Sequence, residues 1–422
     1  MIEQAYPLIL PREAHSISRK NLDPDVLKVL YRLYHHGFLG YLVGGCVRDL
    51  LLGKTPKDFD VATDAHPQQI RELFRNARLI GRRFRLAHLY FKGGKFIEVS
   101  TFRRRSEFDE EAAPPHPQFD NTFGTPAEDA FRRDLTINGI FYNIADFSLV
   151  DYVGGLEDLR RGIIRCIGDP EEKFLQDPVR MIRVIRHAAR TGFAIEEKTY
   201  RSMVRHVEGL RLCSPARVRD EFFRELREGA FYESLGLMIE TGMLSTLFPS
   251  FQPLLNDGAH RKRLLKIAGE LEAFRLRENQ ASDAFVLSLF LSPLVPYYCP
   301  MDEFPPGRRG QNLFQEKIHH WVLDTLGPMQ FPRHIKERVS HLLSSQRIFR
   351  EFLPQKKLPL RLVNKSYFPQ AHRLFEAQAR LEGKGNEELV WEIQEKRPSF
   401  KRRRRSRRRK KKVASFDQVQ PG

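Results

Sequence analysis

The sequence predicts a mixed α/β N-terminal half, an all-α second half and a disordered basic tail. Three observations predict it. Short apolar runs alternate with helix-period segments between residues 26 and 168. Beyond Asp169 the strand signals fade while helical periodicity continues. Residues 396–422 hold 13 Lys/Arg against one Asp, a composition that cannot bury an apolar face.

In chain order, DPDVLKVLYRLYHHG (23–37) has helical spacing, with Asp23 as N-cap and Gly37 as the stop. FLGYLVGG (38–45) reads as a short strand ending in two glycines. CVRDLLLG (46–53) reads as a helix that starts on that turn and halts at Gly53. DFDVAT (58–63) is a strand, followed by a helix through PQQIRELFRNA (67–77). RLAHLYFK (85–92) and KFIEVSTFR (95–103) make a hairpin across Gly93-Gly94. The acidic, proline-bearing stretch SEFDEEAAPPHPQF places a long mobile loop over 104–127. In DPVRMIRVIR (177–186), Asp177 is a good N-cap and Pro178 a good first helical residue. At 100° per residue, Met181, Val184, Ile185 and Ala188 share one face, and Arg180, Arg183, Arg186 and Arg190 gather on the other. Further helical patterns occupy 200–228, 260–292, 311–326 and 333–353.

The chain has 422 residues, 41% of them hydrophobic, enough for a substantial core divided among several domains. No run of about 18 apolar residues occurs, so no spanning helix is expected. The opening MIEQAYPLILPREAH lacks the pattern of an export signal, and the four cysteines lie far apart with no CxxC or Cys/His cluster. Both features lead us to expect a reducing cytoplasm and argue against structural zinc and a disulfide framework. Of the formal net charge of +18, the tail alone supplies +12, and KRRRRSRRRKKK (401–412) is basic at 11 of its 12 positions. Such an arm binds polyanions by releasing counterions from phosphates. RNA, DNA and an anionic membrane surface all satisfy that chemistry.

Asp58 and Asp60 raise a sharper question. Residues i and i+2 of a strand face the same side, so two carboxylates project together while Phe59 and Val61 turn inward. Their repulsion favours retention of a proton on one of them or capture of a divalent cation. A pair of turn or capping aspartates after Pro56 is the plain alternative. Upstream, Gly44 and Gly45 stand at a strand-to-helix junction where backbone N–H groups can meet a phosphate, and Arg48 lies one turn further on.

Taken together, GGCVRDLLLGKTPKDFDVAT (44–63) resembles the signature of the class II, bacterial-type nucleotidyltransferases, which extend RNA 3′ ends without a nucleic-acid template. RRDLTINGIFY (132–142), DPVRMIRVIR (177–186) and SPARVRDEFFREL (214–226) resemble further blocks of that family. The resemblance implies a polymerase-β-like catalytic domain over 26–168 after a lead of 1–25. A helical, nucleotide-selecting neck (169–230), an RNA-binding helical body (231–395) and the tail follow. It also implies that Asp58 and Asp60 hold Mg2+ and that Asp134 is the third catalytic acid, with Glu98 on the adjacent strand competing for that role. Gly44, Gly45, Arg48, Arg133, Asp177, Arg180, Arg183 and Arg186 become nucleotide-binding residues. Asp177 and Arg180 are implied to read the base edge, while Arg133, Arg183 and Arg186 turn toward phosphates or help orient them. Gln176 departs from the Glu common at that place in the family. LIGRRFRLAHLYF (79–91) and the basic tail resemble bacterial poly(A) polymerases more than the enzymes that build the CCA end of tRNA. ATP and RNA 3′ ends are thus the expected partners, together with RNA-decay or RNA-chaperone proteins. A CCA-adding enzyme and a non-catalytic RNA-binding protein on the same fold are the alternatives.

Overall fold

The computed structural model of the chain describes residues 7–81, 86–104, 123–227, 230–277, 282–383 and 391–393. An eight-stranded sheet organises the N-terminal half. Its strands are β1 (Leu8–Leu10), β2 (Tyr41–Val43), β3 (Asp60–Thr63), β4 (Ala77–Ile80), β5 (Leu86–Tyr90), β6 (Phe96–Thr101), β7 (Ile140–Asn143) and β8 (Leu149–Asp151), in the order β1-β8-β7-β2-β3-β6-β5-β4. Every neighbouring pair is antiparallel except β3 with β6. A parallel pair needs a long crossover, which here carries a helix and two strands.

One face of the sheet is closed by α1 (Pro24–His35), α2 (Gly45–Leu51) and α3 (Pro67–Leu73). The Asp23 side chain accepts from the Asp25 amide at 2.9 Å, Pro24 opens α1, and Val26, Val29, Leu30 and Leu33 are buried. Those residues, with Val47, Leu50, Ile70 and Leu73, pack on Leu42, Val61, Ala87, Leu89, Ile97 and Val99 of the strands. Strand alternation sends the intervening residues to the opposite face. There Tyr41, Val43, Ala62, Phe141 and Val150 are covered by Phe102 and by Ala130 of α4 (Pro126–Arg132).

A second core runs through the helical half. Leu135 and Ile137, from the segment after α4, are buried in it and so tie the sheet domain to the helices. Next come α5 (Gly155–Arg161), α6 (Pro170–Gln176), α7 (Arg180–Thr191), α8 (Glu197–His206) and α9 (Pro215–Arg227), with longer helices at Gly258–Arg277, Gly307–Leu326 and Arg333–Phe352. No helix among the described residues is long and apolar enough to cross a membrane.

Several sequence expectations change in detail. β3 begins at Asp60, and Asp58 stands in the bend before it. Asp177 ends α6 instead of capping α7, whose N-cap is Val179. The second half is not purely helical: Ile163–Ile164 pairs with Ala194–Ile195, and Lys357–Leu358 with Glu392–Ile393. The sequence predicts no strand at β1, β4, β7 or β8, whose three or four residues carry no immediately flanking Gly-Gly or DxD signal of the kind that marks β2 and β3. Most of the acidic loop (105–122), the RRFR of LIGRRFR (82–85) and the basic tail lie outside the described residues.

Candidate active site

Three segments distant in sequence meet at the exit of β2. Gly44 has φ 79° and ψ −144°, a conformation that only glycine adopts without strain. A Cβ there would lie 3.5 Å from Nη1 of Arg133 and 3.6 Å from Oδ2 of Asp60. Gly44 therefore leaves open a space bounded by a cation and a carboxylate.

Asp60 opens β3, opposite Val43 of β2 and Glu98 of β6. Solvent reaches it, yet protein crowds its remaining sides. That desolvation, then the charges of Glu98 and Asp58, push its carboxyl up to about 6 against the opposing pull of Arg133. Surplus negative charge on neighbouring oxygens is the condition that a divalent cation relieves. Among the described residues, no cluster of three or more His, Cys, Asp and Glu side chains is gathered tightly enough to hold an ion. The all-oxygen donors Asp58 and Asp60, with Glu98 alongside, are of the type a divalent cation takes when water and phosphate oxygens complete its shell.

Arg133 closes α4. Its Nη2 and Nε donate to Oδ2 of Asp129 at 2.8 and 3.2 Å, and its guanidinium lies over Phe141, 5.3 Å from the ring centre. Burial raises the Asp129 carboxyl, but Arg133 and Arg132 outweigh it and hold the group below its usual range. Asp129 was not anticipated as part of the site. Its spacing from Arg133, i to i+4 on a helix, was the available signal.

Arg48 is placed differently from the expectation that it binds the nucleotide. Its side chain is buried: Nε and Nη2 donate to Oδ1 of Asp49 at 2.9 and 2.8 Å, and Nη1 donates to Oδ1 of Asn138 at 2.8 Å. Nη1 also lies 3.0 Å from Nδ1 of His187 on α7. Burial first, and then Arg48, push the His187 imidazole well below its ordinary range, so it is neutral and can accept from Arg48. Arg48 is a strut between α2, the segment after α4, and α7. Nothing in the sequence pointed to His187 as its partner.

The two candidates for the third acid are far apart in role. Glu98 neighbours Asp60, whereas Asp134 lies 2.8 Å from Nε of Arg180 and 2.5 Å from Nη1 of Arg183. Asp134 thereby anchors α7. The arginine face of that helix is likewise engaged. Arg183 reaches Glu221 at 3.3 Å, and the buried Arg186 donates to Glu225 at 2.8 Å and to Glu221 at 2.5 Å, both on α9. Arg186 does not turn toward a phosphate site in this arrangement, because two buried carboxylates hold it.

Asp177 lines a cleft of about 480 Å³ shared with Gln176, His206, Ser214 and Arg217. Its Oδ2 accepts from Nη2 of Arg217 at 2.9 Å, and its Oδ1 is buried without a hydrogen-bond partner. An acceptor left open beside a cleft suits a ligand amine.

With this geometry in place, two family models match the chain: the poly A polymerase head domain over residues 40–165, and the probable RNA and SrmB-binding site of polymerase A over 192–255. Residues 40–165 belong to the poly(A) polymerase head family. The Gly44–Asp60–Arg133 space lies wholly inside that head. Poly(A) polymerase I of Salmonella typhimurium is 42% identical over 305 residues, covering 70% of this chain and 65% of the relative. The Escherichia coli O6:H1 protein of that name is 48% identical over 249 residues, 57% of this chain and 53% of the relative. The chain therefore spans between about half and just under two thirds of these relatives. A CCA-adding enzyme of Lactobacillus helveticus is 35% identical over 253 residues, 59% of this chain and 60% of the relative. The fold is that of the Bacillus stearothermophilus CCA-adding enzyme in complex with CTP, with a TM-score of 0.62 at 23% identity over 87% of this chain and 81% of that one.

Proposed function

We propose that the chain adds AMP from ATP to RNA 3′ ends without a template. The observation that carries this reading is the convergence of Gly44, Asp60 and Arg133 beside Glu98, in a head whose relatives are poly(A) polymerases. Asp58 and Asp60 hold the divalent cations, Mg2+ by the oxygen character of the donors. When bound, the cations supply charge neutralisation at the α-phosphate and a lowered pKa for the attacking 3′-hydroxyl. The absent Cβ of Gly44 lets phosphate oxygens approach, and Arg133, fixed by Asp129, meets their charge. Asp177 accepts from the adenine amine with its open Oδ1, and Arg180, next to Asp134, donates to the ring edge. Arg183 and Arg186 act through α7, orienting it. Glu98 is the third acid of the site. The setting that suits this reaction is RNA processing and decay in the cytoplasm.

The CCA-adding reading has the Lactobacillus relative in its favour, and a non-catalytic module would keep the fold alone. One experiment separates the three. The purified chain is given Mg2+, a generic RNA oligonucleotide or a truncated tRNA, and each labelled NTP in turn. We expect a long ladder with ATP only, and no ladder from Asp58→Ala at retained RNA affinity. Addition of C, C and A confined to truncated tRNA would select the second reading, and no extension the third.

A further inference from the structure

We propose that the exposed face of β4, β5 and β6 is a stacking platform for the bases that precede an RNA 3′ end. It rests on the reading above, since it supplies that reaction's acceptor side. Strand register builds the platform outward from the carboxylates. Asp60 is opposite Glu98, Glu98 opposite His88, and His88 opposite Arg78; one pleat away, Phe96 is opposite Tyr90. The alternating residues Ala87, Leu89, Ile97 and Val99 belong to the helix-covered core, so all of these side chains share the opposite face.

That face is aromatic and accessible. Phe96 is 50% exposed and Tyr90 37%. His88 stacks on Phe96 with ring centres 4.3 Å apart and planes 19° apart, and Tyr90 lies 6.1 Å from Phe96. The Arg78 guanidinium covers Tyr90 at 5.2 Å. Rings exposed on a sheet are costly for a protein to keep unless something covers them. The charge beside them identifies the occupant. A cleft of about 440 Å³ runs from Asp58 and Phe96 to Lys20 and Lys57, with Lys95 beside them paired to Asp23 and Asp25. Rings for bases flanked by cations for phosphates are the composition of single-strand binding surfaces. The platform is also continuous with the catalytic carboxylates. Phe96 lines one cleft with Asp58, and Tyr90 lies beyond it, 6.1 Å from Phe96. Bases at the second and third positions from the 3′ end therefore reach the rings while the terminal hydroxyl stays at Asp58 and Asp60.

The test uses the full chain and a fluorescent single-stranded RNA, read by anisotropy, beside the extension assay. Phe96→Ala should weaken RNA binding and raise the KM for RNA about tenfold, with the KM for ATP unchanged; Phe96→Trp should restore both. Abasic nucleotides at the second and third positions should cost the wild type a similar factor and cost Phe96→Ala nothing further. Tyr90→Ala should show the same coupling. Additive losses from the abasic sites and Phe96→Ala, or unaltered binding by Phe96→Ala, would overturn the platform. So would a blunt duplex that binds as tightly and loses as much. Coupled binding in a wild type that extends no RNA would support the platform and reject the transfer reaction.

Discussion

Gly44 concentrates the residue-scale chemistry. Its backbone lies in the glycine-only region, and the volume its missing side chain leaves is bounded by Asp60 and Arg133. Gly44→Ala should destabilise the head by about 1–3 kcal/mol through strain. It should also obstruct nucleotide binding, read as a raised KM for ATP beside the shift in the denaturant midpoint. A variant with unchanged KM would remove the space from the phosphate path. The resemblance to the class II nucleotidyltransferases implied that a glycine pair, a DxD and an RRD belonged together. It did not show which atoms meet. Asp60 and Glu98 neighbour each other only through the pairing of β3 with β6, 38 residues apart in register, and Arg48 proves buried because α7 closes over it.

At the scale of the element, α7 illustrates what periodicity reveals and conceals. The apolar and arginine faces were both legible from the spacing, and Met181, Val184, Ile185 and Ala188 are indeed buried. The direction of the arginine face was not legible, since a cationic stripe looks the same whether it awaits phosphate or a neighbouring helix. Here Glu221 and Glu225 of α9 take Arg186, and Asp134 takes Arg180 and Arg183. Burial raises the Glu221 carboxyl, but Arg186 and then Arg183 outweigh it and bring the group below its ordinary value of 4.5. A depressed carboxyl stabilises the fold above its unfolded pKa and loses that contribution as pH falls. Glu221→Gln should therefore cost about 1.5–3 kcal/mol at pH 7, with the difference from wild type shrinking below pH 4.5. Urea unfolding at several pH values measures it, and a gap that persists unchanged at pH 3 would contradict the ion-pair account.

For the whole molecule, the proposed function divides binding between a shaped site and a charge reservoir. The head and helices share two bridges, Arg48–Asn138–His187 and Asp134–Arg180–Arg183, that set the sheet against α7. In the proposed reaction the tail would contribute charge alone. Deleting 396–422 removes +12 and should lower RNA affinity and reduce the slope of log K against log salt by about 4–8 for single-stranded RNA. The KM for ATP should not move. Equal slopes for the full and shortened chains would deny the tail a part in RNA binding.

The amino-acid sequence by itself determined the mixed α/β head, the helical half, the basic tail and the likeness of residues 40–165 to the poly A polymerase head domain, because these depend on local period, turn chemistry and short motifs. Only the tertiary structure decided that Glu98 is the acid beside Asp60, that Asp134 and Arg186 are anchors of α7, and that aromatic rings extend from the carboxylates across an open sheet face. Charge pairing and strand register join residues far apart in the chain, and one-dimensional spacing carries no record of which partner an arginine or a strand edge will find.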